Sequence, residues 1–422
     1  MGHSHIDAAW LWTFEETIQV FHDTCETILE HMEKHPDFCF CQSSAQYYKW
    51  LEERYPETFE KVKRRVEEGR WEIVGGTWVE PDGNLPSGES FVRQYLYGKR
   101  YFSEKFGVDV KISWMPDSFG YAWTLPQIMK KSGMEFFLTQ KMNWNDSTVF
   151  PYYFFKWMAP DGTRIFTHQT VGTYSEPVVD TSVRQQLNML SSRQQLDDLL
   201  VLFGRGDHGG GVTEDMIERA KEFVQGRKPL NGRFVTAKEY FSILAKKTER
   251  KKIPEINDEL YLQYHRGTYT TQARVKRNNR KAECLLDTAE RFSTLAEKHG
   301  YEYPSRELRE AWEKLLLNQF HDVLPGSSIP EVYKDSEEYF QSIFNTASSI
   351  ISKSLKTIAT KVDTTGEGKS LLVFNPLSWS RSDVVEAPLD DLGDEVEIYD
   401  EKGRMIPSQR IEEERKVVFI AE

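Results

Sequence analysis

The sequence predicts an α/β domain built on a parallel sheet, barrel or open, followed by a three-helix bundle and a short C-terminal β region. Three observations carry this. Strand-like and helix-like stretches alternate over about the first 260 residues, the pattern of crossover helices returning to a parallel sheet. Residues 270–361 keep helical apolar spacing with few breakers. From Leu371 onward, apolar residues come in short strand-like runs. At 422 residues, 39% of them apolar, the chain has material for two or three domains with their own cores.

In order, Phe14 to Lys34 places Ile18, Phe21, Cys25, Ile28, Leu29 and Met32 at the three-and-four spacing of a buried helix face. Phe38 to Gln42 then reads as a buried strand, Ala45 to Glu53 and Pro56 to Glu68 as helices, and Trp71 to Gly75 as the next strand. Glu89 to Phe106 is helical, Lys111 to Met115 a strand, Thr124 to Ser132 a helix and Phe136 to Thr139 a strand. Tyr153 to Trp157 and Arg164 to Thr167 form a hairpin around the turn Pro160-Asp-Gly162. Strands at Leu200 to Phe203 and Leu260 to Leu262, with the helix Glu214 to Val224 between them, close the series. The helices Thr270 to Lys298, Ser305 to Leu317 and Ile329 to Lys361 follow, the last with one apolar stripe that reads as core packing. Asp363 to Lys369 is a polar linker, and Leu371 to Trp379 and Val384 to Glu422 read as short strands. The chain thus divides into a catalytic α/β domain (1–265), a helical domain (266–362) and a partial β domain (363–422).

Composition narrows the function. A net charge of -12 argues against nucleic acid or an anionic membrane as partner, and the one basic run, Arg274 to Arg280, reads as a solvated helix face. No apolar run approaches the roughly 20 residues of a membrane span, and the N-terminus lacks the pattern of a signal peptide. Cys25, Cys39, Cys41 and Cys284 are too few and irregular for a disulfide scaffold or a cysteine zinc site, so the expected location is the cytoplasm. The 13% aromatic content, with 11 Trp and 19 Tyr, suits stacking on sugar rings.

Four short strings carry chemistry. His5-Ile-Asp7 places an imidazole and a carboxylate two apart, where an extended backbone turns both to one side and makes half a cation site, with Trp10 just beyond. Met115-Pro-Asp-Ser-Phe-Gly120 puts Asp117 directly after a predicted strand, where open and closed parallel sheets alike keep their chemistry. Gly204-Arg-Gly-Asp-His-Gly-Gly-Gly211 is a glycine-rich loop with Asp207 and His208; it lacks the Gly-Lys-Ser/Thr ending of a phosphate loop. Phe320-His-Asp-Val323 follows a helix instead of a strand. Taken singly, each has a bland reading: an aspartate after a strand is commonly a cap or turn former, and a His-Asp pair is commonly structural. The loop Thr77 to Asn84, with Glu80 and Asp82, reads equally as a hydroxyl-binding rim and as a plain turn.

In this order and combination the four strings resemble the glycoside hydrolase family 38 α-mannosidases, over roughly residues 1 to 380. The Gly-Asp-His-Gly-Gly-Gly loop and His265-Arg-Gly-Thr-Tyr-Thr270 are most like the bacterial and cytosolic branch. The resemblance implies a seven-stranded β/α barrel and metal-assisted, retaining hydrolysis of α-mannosidic bonds in oligosaccharides. It implies a zinc ion, with cobalt as a substitute, held by His5, Asp7, Asp117 and His321, a donor set of nitrogen and oxygen that suits either metal. Asp117 would also be the nucleophile that forms a covalent mannosyl-aspartate. Trp10 and Phe119 match positions lining the sugar pocket, and Asp322 an acid that hydrogen-bonds the sugar. The acid/base of the Golgi and lysosomal branch has no match. Asp207 is chosen because a glycine-rich loop lets a carboxylate approach substrate closely, with Glu80, Asp82 and Asp258 as alternatives.

Departures from the family pattern lie at both ends. Only Met1-Gly-His-Ser precede His5, so the first strand is expected to be a few residues long. The β region stops at Ile420-Ala-Glu422, and an incomplete sheet would expose edges and apolar surface, to be covered by a homo-oligomer or a partner chain. Two other functions remain open: a catalytically weak metal- and sugar-binding subunit, and a metal-dependent polysaccharide deacetylase.

Overall fold

The computed structural model describes residues 1–226, 230–389 and 396–421. Its elements begin β1 (Gly2–His3), α1 (Phe14–Lys34), β2 (Phe40–Gln42), α2 (Ala45–Arg54), α3 (Pro56–Glu67) and β3 (Trp71–Ile73). Next come α4 (Gly88–Phe106), β4 (Ile112–Trp114), α5 (Leu125–Lys131), β5 (Phe136–Thr139), β6 (Phe154–Met158) and β7 (Arg164–Gln169). The helices α6 (Asp180–Gln194), α7 (Glu214–Gly226) and α8 (Ala237–Thr248) lead to β8 (Glu255–Ile256). Three longer helices follow: α9 (Ala273–Glu297), α10 (Ser305–Asn318) and α11 (Pro330–Ala359). The strands β9 (Asp383–Pro388), β10 (Ile398–Tyr399), β11 (Met405–Ile406), β12 (Ser408–Ile411) and β13 (Lys416–Ala421) end the chain.

Local sequence explains the better-defined ends. In α1 the predicted stripe Ile18, Phe21, Cys25, Ile28, Leu29 and Met32 is buried, with Glu15 and Glu16 in the first turn and Lys34 in the last, as the helix dipole favours. Ser87 caps α4 by accepting from the Ser90 N–H at 3.2 Å, and Gly107 ends it in the left-handed region at φ 66°.

The described residues form two compact units, one of Met1–Cys284 with Arg309–Phe344, the other of Leu285–Leu308 with the described residues from Asn345 on. In the first, β1, β2 and β3 run parallel, with Gly2 beside Phe40 and Phe40 beside Trp71. A second sheet runs β4-β5-β7-β6-β8, parallel except for the predicted hairpin of β6 and β7, where Trp157 pairs with Ile165. Gly75 joins the two by donating to the Ile112 carbonyl at 2.9 Å. On the far side of β1, Phe203 accepts from His3 and donates to Met1. The ladders alone do not close a seven-stranded barrel: among the described residues, the predicted strands at 200–203 and 260–262 contribute single bridges, at Phe203 and Leu260. Gly204, at φ 149°, turns the chain away after Phe203, and a Cβ there would stand 1.8 Å from the His3 carbonyl oxygen. The core between sheet and helices gathers Met1, Val74, Trp114, Leu138 and Phe154 with Leu190, Leu202, Tyr240 and Phe241.

Also in the first unit, Asn278 on α9 donates to Glu337 on α11, and Lys314 on α10 to Ser342 on α11. The turn after α10 is stitched to the loop after β3: Asp82 N donates to Gln319 O, and His321 N to Glu80 O. That seam carries the helical region's histidine to the strand ends. The second unit holds the antiparallel sheet β12-β13-β9 over a small core of Ala387, Leu389, Val417 and Phe419, and the pair β10-β11. Residues 390–395 and Glu422 of the predicted β region lie outside the described residues. Among the described residues, no helix is long and apolar enough to cross a membrane.

Candidate metal centre

The C-terminal ends of β1, β3, β4, β5 and β7 deliver side chains to a common point. His5 and Asp7 follow β1, Glu80 follows β3, Asp117 follows β4, Lys141 follows β5 and Tyr174 follows β7. One donor atom from each of His5, Asp7, Asp117 and His321 lies within 4.8 Å of the others, and all four residues are buried. All four are the ligands that the family resemblance implied; His321 arrives by the seam to the loop after β3.

His5 Nε2 is 3.0 Å from Asp7 Oδ1 and 3.8 Å from Asp117 Oδ2, and its Nδ1 is 3.4 Å from Glu80 Oε2. Burial alone would lower the His5 pKa, but the charges of Asp7 and Glu80 outweigh it and push it up to about 9. The Asp117 backbone is fixed by Glu80, whose Oε1 accepts from the N–H groups of Asp117 at 2.7 Å and Ser118 at 3.1 Å. Burial would raise the Asp117 pKa as well; Lys141, on Asp117 Oδ1, together with His321 and His5 holds it well below the usual carboxylate range.

His321 is oriented by its own backbone partner. Its Nδ1 is 3.0 Å from the Glu80 carbonyl, which can only accept, so Nδ1 carries a proton and Nε2 faces the cluster. Nε2 stands 3.3 Å from Asp7 Oδ1 and 3.4 Å from Asp117 Oδ2 and has no hydrogen-bond partner. Burial would lower the His321 pKa, but the charges of Glu80, Asp117 and Asp7 push it well above the usual imidazole range, and a divalent cation among them would take the place of that proton on Nε2. The donors therefore suit a divalent metal: two imidazole nitrogens and two carboxylates, with Glu80 and its carbonyl as the outer supports that such ligands commonly have.

Phe119 is buried, its ring 5.6 Å from His321 and 4.5 Å from His265, so it walls the cluster. Asp322 Oδ2 is 3.6 Å from His321 Nε2; burial and the charge of Asp7 push its pKa up to about 7. Trp10 is half-buried, 5.9 Å from Trp12, and its carbonyl accepts from Ile329 N. Asp207 lies beside the donors instead of among them. It is half-buried at φ 61°, its carbonyl accepts from Asp7 N at 2.9 Å, and its Oδ1 accepts from the Tyr174 hydroxyl at 2.8 Å. The Tyr174 ring in turn is 4.9 Å from His5. The alternatives to Asp207 are otherwise engaged or remote: Glu80 holds the Asp117 turn, Asp82 Oδ1 closes a turn by accepting from Asn84 and Leu85, and Asp258 is exposed. Sequence reasoning missed Lys141 and Tyr174 and the supporting task of Glu80. Position just past a strand end was the one available signal, since Lys141 lies two residues beyond β5 and Asp117 three beyond β4.

Residues 1–259 match the glycosyl hydrolases family 38 N-terminal domain and residues 263–358 the alpha mannosidase middle domain. Alpha-mannosidase G of Dictyostelium discoideum is 40% identical over 362 residues, covering 85% of this chain and 33% of that protein. Alpha-mannosidase 2C1 of Homo sapiens is 37% identical over 395 residues, covering 92% of this chain and 37% of that one. The chain spans about a third of the length of these curated relatives. The crystal structure of an alpha-mannosidase from Enterococcus faecalis V583 superimposes with a TM-score of 0.82 at 20% identity, over 100% of this chain and 53% of that one, which shows a shared fold. With the family's N-terminal domain matched over more than half its residues, the chain belongs to glycosyl hydrolase family 38.

Proposed function

We propose that this chain carries the catalytic centre of a metal-dependent α-mannosidase that cleaves α-mannosidic bonds in mannose-containing oligosaccharides with retention. The observation that carries the reading is the convergence of His5, Asp7, Asp117 and His321 at the strand ends, with His321 Nε2 unpartnered among carboxylates. Zinc, or cobalt in its place, would bind sugar hydroxyls there and act as a Lewis acid. Asp117 attacks the anomeric carbon as the glycosidic oxygen departs, giving a mannosyl-aspartate. Lys141, paired with its Oδ1, keeps it ionised for that step. Asp207 delivers the proton to the leaving oxygen, then takes one from the water that attacks the same carbon and frees Asp117. Trp10, Phe119 and Asp322 shape and hydrogen-bond the sugar site.

We read 1–265 as the catalytic domain, 266–362 as the helical domain and 363–422 as a partial β domain; the family matches at 1–259 and 263–358 support the first two limits. Cytoplasmic location is part of the proposal, supported by a cysteine content too low and irregular for a disulfide scaffold. So is a homo-oligomer or partner chain, supported by the exposure of Trp379, Met405 and Ile420 in the second unit.

The test is turnover of an aryl α-mannoside. Wild type is expected to hydrolyse it, Asp117→Ala to lose roughly 10^4-fold or more in kcat, and Asp207→Ala to lose on the order of 10^2 to 10^4-fold. Zinc bound without glycoside cleavage would overturn the reading in favour of a sugar-binding subunit. Acetate released from an acetylated polysaccharide would favour a deacetylase.

A further inference from the structure

A second cluster of metal-type donors lies where α1 meets α7. His31 in the last turn of α1 and His35 just past its end are four apart, which sets both imidazoles on one face. Glu214, the first residue of α7, stands opposite them. His31 Nδ1 is 3.1 Å from Glu214 Oε2, and His35 Nε2 is 2.6 Å from Glu214 Oε1. One donor atom from each of the three lies within 4.8 Å of the others. His31 is 8% and His35 5% exposed, while the Glu214 side chain keeps 44% of its surface. Of all these atoms His31 Nδ1 is the telling one: it is buried, directed at Glu214, and has no hydrogen-bond partner.

We propose that His31, His35 and Glu214 hold a second divalent transition-metal ion of the zinc class. Two imidazoles and a carboxylate are a donor set that zinc takes with one position left for water. The remaining charged groups around the cluster define the alternative. Lys34 Nζ is 3.2 Å from Glu214 Oε2, Lys221 donates to His35 Nδ1, and Glu218 Oε1 is 3.6 Å from His35 Nδ1 and 3.1 Å from Lys221. As a metal-free ion-pair network these lysines satisfy Glu214 and His35 but leave His31 Nδ1 with only the 3.1 Å contact to Glu214 Oε2, which makes no well-formed hydrogen bond. With an ion in place, His31 Nδ1 gains a partner, and His35 turns its Nδ1 proton toward Glu218, as a ligating imidazole commonly does with a nearby carboxylate. Lys221 keeps Glu218, and Lys34, whose side chain is 57% exposed, returns to solvent. The ion's task is structural. Only Val212 and Thr213 separate α7 from the glycine-rich loop, so a metal here ties the far end of that loop to α1.

The test counts zinc. Chelated full-length protein is repleted with zinc, desalted and measured for bound metal, with cobalt absorption as an independent signal. Two equivalents are expected in wild type and one each in Glu214→Gln, His31→Gln and His5→Ala. Glu214 is half-exposed at a helix start, so its variant keeps the test usable if a buried histidine variant does not fold. Lys34→Ala is expected to bind the second equivalent more tightly, because it removes a competing cation. The proposal is overturned if wild type retains one equivalent that vanishes in His5→Ala, if the second equivalent survives Glu214→Gln, or if Lys34→Ala loses it. An absent first site would show separately, as a wild-type equivalent untouched by His5→Ala.

Discussion

Lys141 is the buried cation that faces Asp117, 2% exposed, with its ammonium 4.0 Å from the Trp144 ring and 5.3 Å from Phe119. The aromatic faces help keep the charge in a site that excludes water. Removing one partner of a buried ion pair strands the other, so Lys141→Met is expected to lower unfolding free energy by roughly 3 kcal/mol. Adding Asp117→Asn removes the stranded charge, and the double variant should be more stable than Lys141→Met alone. Denaturant titrations of the four proteins close that cycle; a double variant weaker than the single one would show that the pair is not coupled. At this scale the sequence was readable for some residues and mute for others. Asp117 stood out because Pro-Asp-Ser-Phe-Gly follows a strand, and His5 and Asp7 because of their spacing. A single lysine after β5 has no such context, and nothing local could reveal that Glu80 reaches both the Asp117 amide and His5.

Elements were legible in proportion to their periodicity. The helix read over Phe14 to Lys34 is α1 residue for residue, and the hairpin around Pro160-Asp-Gly162 is β6 and β7. α6 and α8 went unread, α6 because few apolar side chains mark its buried face, where Val183 and Leu190 stand out among glutamines and serines. The strands are two to six residues long, so their limits depend on ladder partners distant in sequence, which no local pattern supplies. The contact of β7 with α8 has its own pH dependence. His168 on β7 is buried, its Nδ1 donating to the Tyr153 carbonyl at 3.0 Å and its ring 5.4 Å from Tyr240 of α8. Burial lowers its pKa to about 4, against the opposing effect of the Tyr153 carbonyl. The folded state thus resists a proton that the unfolded chain accepts near pH 6.5. This contribution is intact above that pH and is lost as pH falls toward 4, amounting to on the order of 3 kcal/mol. Replacing the ring by an amide, His168→Asn, should flatten the fall in urea midpoint between pH 7 and pH 4.5. Equal slopes in variant and wild type would remove His168 as the cause.

For the whole molecule the candidate centre acts as a clasp between distant parts of the chain. His5 and Asp7 lie in the first ten residues, Asp117 after the fourth strand, and His321 beyond the tenth helix. The sequence carried all four as motifs, but it could not supply their meeting, because that depends on the backbone seam of Asp82 with Gln319 and His321 with Glu80. A ligand that binds only the folded state stabilises it by mass action, about 4 kcal/mol when free metal exceeds its dissociation constant a thousandfold. Chelation should therefore lower the melting temperature of the chain by several degrees, and zinc should restore it. The loss has a direction beyond the missing ligand bonds: without a metal, Asp7, Asp117 and Glu80 crowd one buried volume and only Lys141 and the imidazoles of His5 and His321 offset their charge. In Asp117→Asn/His321→Gln, which lacks two of the four donors, chelator should shift melting far less. Glu214→Gln assigns what remains, since a residual shift that this third change abolishes belongs to the α1–α7 cluster. Equal chelator sensitivity in wild type and the double variant would mean that the four strand-end donors do not hold the ion that stabilises the fold.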